Sequence, residues 1–391
     1  MLTRVTNARV AEVFRVFLVL GLTSFGGPVA HLAYFREAFV VRRQWLTEAA
    51  YADLVALCQF LPGPASSQVG MAIGLRRAGY LGMAAAWVGF TLPSALLMLG
   101  FALGVDALGG EGGWLLGLKA AAVAVVAHAV IGMARSLAKG WTRAGIAVAA
   151  CLLALLVPTA WGQVAVIGLG GLAGVLWVTA PATCGDDTGS VPVGRRTAVG
   201  AFAAFVGLLV ALPVLAALVD DPTLGVVDSF YRAGSLVFGG GHVVLPLLEA
   251  ETVGAGLDDG TFLAGYGAAQ AVPGPLFTFA AYLGAVVPPG GPLGALVAVL
   301  AIFAPSALLV VAALPFWERL RGAPRARAFL AGTGAAVVGI LAAALYDPVI
   351  AQGITGVGTL VIAVLALVVL LTGRVPAWVV VVAAAACGLV L

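Results

Sequence analysis

Charged residues are scarce in this chain. They make up 9% of its 391 residues, against 62% hydrophobic residues, and the mean hydropathy is +1.12. Soluble domains carry about a quarter charged residues, so this composition disfavours a water-soluble enzyme. The net charge is only +3, lysine occurs only at Lys119 and Lys139, and the sequence has no basic stripe or zinc-finger spacing. No nucleic-acid partner is therefore expected.

Cysteine pairs and catalytic motifs are also lacking. Cys58, Cys151, Cys184 and Cys387 lie far apart in the sequence and form no Cys-X-X-Cys pair. This spacing indicates neither a disulfide framework nor a zinc site. No Ser-His-Asp, His-Glu-X-X-His, Walker or dinucleotide-binding pattern stands in a suitable context. The sequence thus predicts no metal, no cofactor and no enzymatic activity.

Long apolar segments, by contrast, are abundant. A bilayer core about 30 Å thick requires roughly 20 apolar residues per helix. Such segments span 14–35, 80–105, 114–137, 143–158, 161–180, 198–219, 229–248, 292–316, 328–346, 348–371 and 376–391. Two more, 49–77 and 261–287, are interrupted by Pro-Gly-Pro. The predicted fold class is an all-α polytopic membrane protein with about 10–13 crossings, whose first apolar segment is a span and not a removed signal peptide.

The distribution of basic residues predicts the orientation. Loops 135–143 and 317–327 are rich in Arg or Lys, whereas loops 106–113 and 220–228 contain neither. Basic loops stay in the cytoplasm. Counting each Pro-Gly-Pro segment as one broken crossing satisfies this rule for all four loops and gives about thirteen crossings. The N-terminus is then cytoplasmic in the cell membrane (the inner or plasma membrane). Loop 36–48 conflicts with this count: either its arginines attract an anion, or the first interrupted segment is re-entrant.

Three short motifs recur in the same order. Residues 24–28 (SFGGP) recur as 237–241 (VFGGG), 59–64 (QFLPGP) as 270–275 (QAVPGP), and 92–97 (LPSALL) as 304–309 (APSALL). The nearly constant offset predicts two repeats, 1–180 and 198–391, joined by the polar linker 181–197, the second with an extra connecting helix. Under the threading above, segments 14–35 and 229–248 run in opposite directions. Inverted repeats with interrupted segments are typical of secondary transporters.

Each Pro-Gly-Pro motif is predicted to break a helix inside the membrane. Proline lacks the amide hydrogen and clashes with the preceding turn, so a second half-helix is expected to begin at Pro64 or Pro275. The free amide groups at such a start carry partial positive charge and can bind an anion. Polar side chains follow the first motif closely, so the two half-helix starts are not equivalent. The alternative is that the motif only kinks a packed helix.

The candidate substrate-binding residues lie in the breaks and their flanks. They are Gly26, Gly27, Pro62, Gly63, Pro64, Ser66, Ser67, Gln68, Gly239, Gly240, Gly241, Pro273, Gly274, Pro275 and Thr278. The consecutive glycines let a ligand or another backbone approach closely. The alternative interpretation for them is close helix packing.

Ionisable groups near the membrane interior are candidates for proton coupling or for pairing with an anion. They are His31, Asp53, Arg232, His242 and Glu249. A histidine titrates near neutral pH. The alternatives are histidines bonded to the backbone and charges that anchor helices at the membrane interface.

The glycine and proline motifs resemble those of chromate ion transporters, the CHR family. The similarity extends over about 10–110 and 225–345 and rests on residues 24–31, 58–64, 238–249 and 269–278. The resemblance implies efflux of chromate from the cytoplasm, driven by the proton gradient and giving chromate resistance. The expected partners are chromate or a similar oxyanion, protons and the lipid bilayer, and a homodimer is considered. The alternatives are transport of sulfate or another tetrahedral oxyanion, a passive anion channel and a membrane-embedded enzyme.

Overall fold

A computed structural model describes residues 2–104, 112–178, 193–219, 221–238, 244–253, 257–317 and 323–391. The secondary structure of these residues is entirely helical. The helices of the first part are α1 Leu2–Thr23, α2 Gly27–Arg36, α3 Glu48–Phe60, α4 Ala65–Gly104, α5 Gly113–Leu137, α6 Trp141–Leu156 and α7 Ala160–Trp177. A π-helical stretch, Glu37–Arg42, extends α2. Helix α4 is bent at Ala78 and Gly79.

The second part repeats this order after one added helix. Its helices are α8 Arg195–Leu218, α9 Pro222–Leu236, α10 Val244–Thr252, α11 Asp259–Ala271, α12 Phe279–Val286, α13 Gly291–Ala313, α14 Pro324–Ala344, α15 Val357–Leu371 and α16 Ala377–Gly388. Short helical turns are Leu276–Thr278, Leu314–Phe316, Leu345–Ile350 and Ala351–Gly353. Most of the predicted linker, residues 181–192, lies outside the described residues.

Five helical segments are long and apolar enough to cross a membrane among the residues described. They are Ala65–Gly104, Gly113–Leu137, Arg195–Leu218, Gly291–Phe316 and Pro324–Gly353. Helix α8 is the most exposed of them: Val199, Phe202 and Val210 are 59%, 54% and 62% exposed. An apolar surface of this extent on a long helix fits contact with lipid. The chain is an all-helical integral membrane protein.

Two predicted spans are broken rather than continuous. The expected span 14–35 is interrupted after Thr23, because Gly26 and Gly27 have φ of 99° and 76°, a conformation that ends a right-handed helix. The expected span 229–248 is likewise interrupted after Leu236. The prediction of one continuous helix was wrong for both. Glycine lowers the mean hydropathy of a segment only slightly, so hydropathy alone does not mark a break.

Each half begins with helical hairpins. In the first half, α2 returns along α1, so that the Phe17 ring lies 5.6 Å from Phe35 and 5.0 Å from Phe39. The first part of α4 returns in the same direction and brings Arg77 to Glu12, at 3.0 Å, and over the Trp45 ring, at 4.7 Å. We call the end of the molecule around these three residues the arginine end.

The second half contains the equivalent hairpins. Helix α10 returns along α9, where Arg232 contacts Glu251 at 3.1 Å. The segment that ends in α12 returns along α11, where the Tyr282 hydroxyl donates to the Thr261 carbonyl at 3.1 Å. Phe101, near the far end of α4, lies 5.5 Å from the Tyr282 ring. These hairpins therefore extend from the end of the molecule opposite the arginine end, where α4 ends at Gly104.

Glycine contacts recur at equivalent positions of the two halves. A Cβ on Gly74 would meet the backbone of Gly82, and a Cβ on Gly284 would meet that of Gly294. In each half, these contacts pack the returning arm of the second hairpin against the long helix that follows it. The close approach requires a residue without a side chain, as in membrane helix packing.

Candidate functional site at the helix breaks

The first Pro-Gly-Pro motif separates α3 from α4. Helix α3 ends at Phe60, and α4 begins at Ala65. Between them Gly63 has a φ of 115°, which side chains rarely tolerate. The Pro62 carbonyl, freed from the helix, accepts a hydrogen bond from Gln68 Nε2 at 2.6 Å. The side chain of Gln68 thus closes the break from the half-helix that follows.

The second Pro-Gly-Pro motif separates α11 from α12. Gly274 has a φ of 95°, and the chain re-enters helix through the turn Leu276–Thr278. The Thr278 hydroxyl donates to the Pro275 carbonyl at 2.8 Å, so this hydroxyl already has an acceptor. Phe277 and Phe279, one residue to either side, are buried. The predicted inequality of the two half-helix starts agrees with these contacts.

The two breaks are joined by a reciprocal pair of backbone hydrogen bonds between the halves. The amide of Gly63 donates to the carbonyl of Val237 at 2.7 Å. The amide of Gly274 donates to the carbonyl of Ser24 at 2.9 Å. Ser24 and Val237 are the first residues of the repeated motif that contains the consecutive glycines. Each Pro-Gly-Pro break therefore contacts the glycine-rich break of the other half.

Two serines that are not among the predicted site residues lie directly against the breaks. A Cβ on Gly274 would lie 2.8 Å from Ser94 Oγ, and a Cβ on Gly63 would meet Ser306 Oγ. Ser306 Oγ also accepts a long hydrogen bond from Gln68 Nε2 at 3.5 Å. Both serines belong to the third repeated motif, so its recurrence was the signal that could have identified them.

His31 connects the first glycine-rich break to α4. Its Nε2 lies 3.2 Å from the Ser24 carbonyl oxygen, and its Nδ1 lies 3.3 Å from Ser66 Oγ. A carbonyl oxygen only accepts, so Nε2 carries the proton and Nδ1 accepts the hydrogen of Ser66. Two predicted site residues, His31 and Ser66, are thus brought together, and the Ser66 hydrogen is already used.

Several buried polar atoms near the breaks have no hydrogen-bond partner among the described residues. They are Ser24 Oγ, Ser67 Oγ, Gln68 Oε1, Thr91 Oγ1 and Gln270 Nε2. A buried polar group without a partner is costly, so a ligand or a water molecule that bonded these atoms would stabilise the site. Three of the five atoms are hydroxyls that can donate to an oxyanion. The arrangement can therefore bind an anion without a cationic side chain.

Arg232 already has carboxylate partners. Its guanidinium contacts Asp228 at 2.6 Å and Glu251 at 3.1 Å, and it lies 4.9 Å from the Trp161 ring centre. Ser229 also donates to Glu251. The structure therefore places Arg232 in a nearly buried ion triad, and its role as the partner of a bound anion stays a prediction.

Of the two predicted carboxylates, Asp53 lies near the guanidinium of Arg76. Glu249 lies in the last turns of α10, outside the long apolar helices. Burial, and then the nearby charges of Asp259 and Asp347, raise the pKa of Glu249 to about 7. A carboxyl of this kind exchanges protons in the physiological range. The remaining candidates, Gly239, Gly240, Gly241 and His242, lie outside the described residues.

Comparison with known proteins assigns the family. The chromate transporter family model matches residues 11–175 and 224–389, in both halves. A chromate transport protein of Pseudomonas aeruginosa is 32% identical over 86% of this chain and 80% of its own length. A chromate transport protein of Cupriavidus metallidurans is 31% identical over 84% of this chain and 80% of its own length. A probable chromate transport protein of Synechococcus elongatus is 29% identical over 85% and 83%.

No solved structure matches this chain. The two matched regions contain both copies of each repeated motif, and they carry the hairpins, the helix breaks and the reciprocal hydrogen bonds described above. The chain therefore belongs to the chromate transporter family.

Proposed function

We propose that this protein is a secondary transporter that exports chromate across the cell membrane, coupled to protons, and so confers chromate resistance. The family supplies the substrate class. The observation that carries the site is the group of buried hydroxyls around the start of α4 that have no hydrogen-bond partner in the described part of the chain, above all Ser67 Oγ. A dianion held there by hydroxyls and half-helix amides can be bound without a metal and without a covalent step.

The two halves are proposed to form an inverted repeat. The hairpins of the first half extend from the arginine end, next to the bend of α4, and those of the second half extend from the opposite end of the molecule, near Phe101. The hairpin tips meet through the Gly63 and Gly274 hydrogen bonds. Arg15, Arg42 and Arg43 lie at the arginine end. The opposite end carries an excess of acidic residues: Asp228, Glu249, Glu251, Asp258 and Asp259 lie there with two basic residues, Arg232 and Lys119. The positive-inside rule then places the arginine end and the N-terminus in the cytoplasm.

The proposed orientation is compatible with the basic residues of loop 36–48. Because α2 returns along α1 and the first part of α4 returns along α3, the loop lies at the arginine end together with Glu12 and Arg77. We therefore favour the re-entrant alternative for the first interrupted segment. The repeat boundaries 1–180 and 198–391, and a homodimer, remain proposals.

Transport is proposed to occur by rocking of one half against the other. The bonds from Gly63 to Val237 and from Gly274 to Ser24 connect the halves at the site. Breaking one bond while keeping the other would open the site to one side at a time. An inside-negative potential drives a dianion outward with about 2.3 kcal/mol per charge per 100 mV. Proton entry at Glu249, close to the acidic end, adds to this drive.

An accumulation assay tests the proposal. Cells expressing the gene are expected to accumulate less chromate than cells without it, and a protonophore is expected to abolish the difference. Equal accumulation with and without the gene would refute export. Export that persists in the presence of a protonophore, and only down the chromate gradient, would support a passive channel instead.

Sulfate is the second candidate substrate, because hydroxyl and amide donors recognise any tetrahedral dianion of similar size. Uptake of chromate into inverted vesicles is measured with increasing sulfate. Weak competition supports chromate as the preferred substrate. Competition at equal or lower concentration assigns the site to sulfate.

A further inference from the structure

A cavity of about 400 Å³ lies between α1 and the returning α2, apart from the helix breaks. Arg15, Arg42 and Arg43 line its end nearest the arginine end. Val19 and Tyr34 form part of its remaining wall. The cavity thus combines a basic end with an apolar groove.

The basic end has unneutralised charge. Arg42 is paired with Glu37, its Nε lying 2.8 Å from a carboxylate oxygen. Arg15 and Arg43 have no salt bridge among the described residues. Glu37 is the only acidic residue in the cavity lining. Two of the three positive charges are therefore available to an anionic group.

The groove is continuous with the lipid-facing surface. Val19 is 59% exposed and Tyr34 is 43% exposed, while Val16 and Leu20 form a buried floor. Contact of this apolar wall with water is unfavourable, whereas an acyl chain would cover the wall and exclude water from it. A basic pocket between membrane helices on the cytoplasmic side is a recognised way to hold a lipid headgroup.

We propose that this cavity binds an anionic phospholipid, with the phosphate at Arg15 and Arg43 and an acyl chain along Val19. The charge complementarity and the exposed aliphatic wall together favour a lipid over a free anion. Binding is independent of the transported substrate, and only its leaflet rests on the proposed orientation.

The test uses the full chain purified in a neutral detergent. Retained phosphatidylglycerol is counted by native mass spectrometry, and thermal unfolding is followed with added phosphatidylglycerol or phosphatidylcholine. We expect phosphatidylglycerol alone to raise the unfolding temperature. The variant Arg15→Gln/Arg43→Gln is expected to bind it at least about tenfold more weakly, because each basic residue near a lipid headgroup contributes appreciably to binding.

The matched control is Arg9→Gln/Arg36→Gln, which removes the same charge near the same end but outside the cavity lining. The control is expected to retain the lipid. Equal loss in both variants, or equal stabilisation of the parent protein by phosphatidylcholine, would overturn the proposal. So would displacement of the lipid by millimolar inorganic phosphate or chromate with the same rise in unfolding temperature, which would assign the cavity to free oxyanions. If the variant does not fold, the lipid comparison on the parent protein decides.

Discussion

At the scale of single residues, Ser66 and Ser67 differ although they are neighbours at the start of α4. Both are buried. The Ser66 hydrogen is directed to His31, whereas Ser67 Oγ has no partner among the described residues. A free donor contributes more to anion binding than one that must first give up an acceptor. Sequence alone treated the two serines as equal donors.

We therefore predict that Ser67→Ala impairs chromate export more than Ser66→Ala. A hydrogen bond to a charged group contributes about 1.5–3 kcal/mol, so the apparent affinity is expected to fall about tenfold to a hundredfold. Chromate uptake into inverted vesicles measures the change. Ser136→Ala serves as the control, because Ser136 is exposed and bonded within its own helix. An unchanged affinity in Ser67→Ala would remove this residue from the site.

Gly274 is a second position where a single substitution is expected to have a large effect, in this case on the stability of the protein. A Cβ there would lie 2.8 Å from Ser94 Oγ and 3.2 Å from the Phe90 carbonyl, and its φ is 95°. Gly274→Ala is expected to destabilise the protein by about 2–5 kcal/mol, from backbone strain and overpacking combined. Thermal unfolding of the detergent-purified protein measures the loss.

Gly100→Ala is the matched control, because a Cβ at this helical glycine meets open space. It is expected to leave stability unchanged or raise it by up to about 1 kcal/mol. Equal unfolding temperatures for the Gly274 and Gly100 variants would contradict the close packing of the second Pro-Gly-Pro break against α4.

At the scale of elements, the sequence predicted most helices but left open whether the first interrupted segment crosses the membrane or returns. Segments 114–137 and 292–316 coincide within about two residues with the helical segments Gly113–Leu137 and Gly291–Phe316, and segment 80–105 with the part of α4 that follows its bend. These segments are long and uninterrupted, so hydropathy defines them well. Whether an interrupted segment crosses or returns depends on contacts such as Arg77 with Glu12, which no local pattern encodes.

The hairpin geometry predicts where loop 36–48 lies. In a protein whose native cysteines are replaced by serine, Gln44→Cys is expected to react with a membrane-impermeant maleimide only from the cytoplasmic side. Thr355→Cys, in the exposed turn near the contact between Gln352 and Asp259, is expected to react only from outside. The single-crossing alternative expects Gln44→Cys to be labelled from outside. Labelling of intact cells and of inverted vesicles separates the two.

At the scale of the whole molecule, the two ends differ in charge. Chromate export is proposed to be coupled to proton entry from the acidic end. Glu249, close to the acidic end, has a pKa raised to about 7 by burial and by Asp259 and Asp347. It is therefore largely protonated below pH 7 and largely charged above it. A coupling carboxyl must accept its proton from the outside, so it functions only where it can be protonated.

We predict that chromate export falls as the external pH is raised from 6 to 8 and that Glu249→Gln removes this dependence. Export is measured in whole cells at constant membrane potential. Glu48→Gln, a change to an exposed carboxylate paired with Arg36 near the arginine end, is the control and is expected to keep the parent profile. The same pH profile in Glu249→Gln would exclude Glu249 as the coupling group.

The sequence by itself determined that the chain is a helical membrane protein with a duplicated pattern of breaks. Hydropathy, the missing amide hydrogen of proline and the conformational freedom of glycine are local properties, so they can be read without a fold. Tertiary structure alone decided which breaks touch and which donors remain free. Gln68 and Ser306, for example, are 238 positions apart. Their contact follows from how the two halves pack, because packing brings together groups whose sequence separation carries no information about distance.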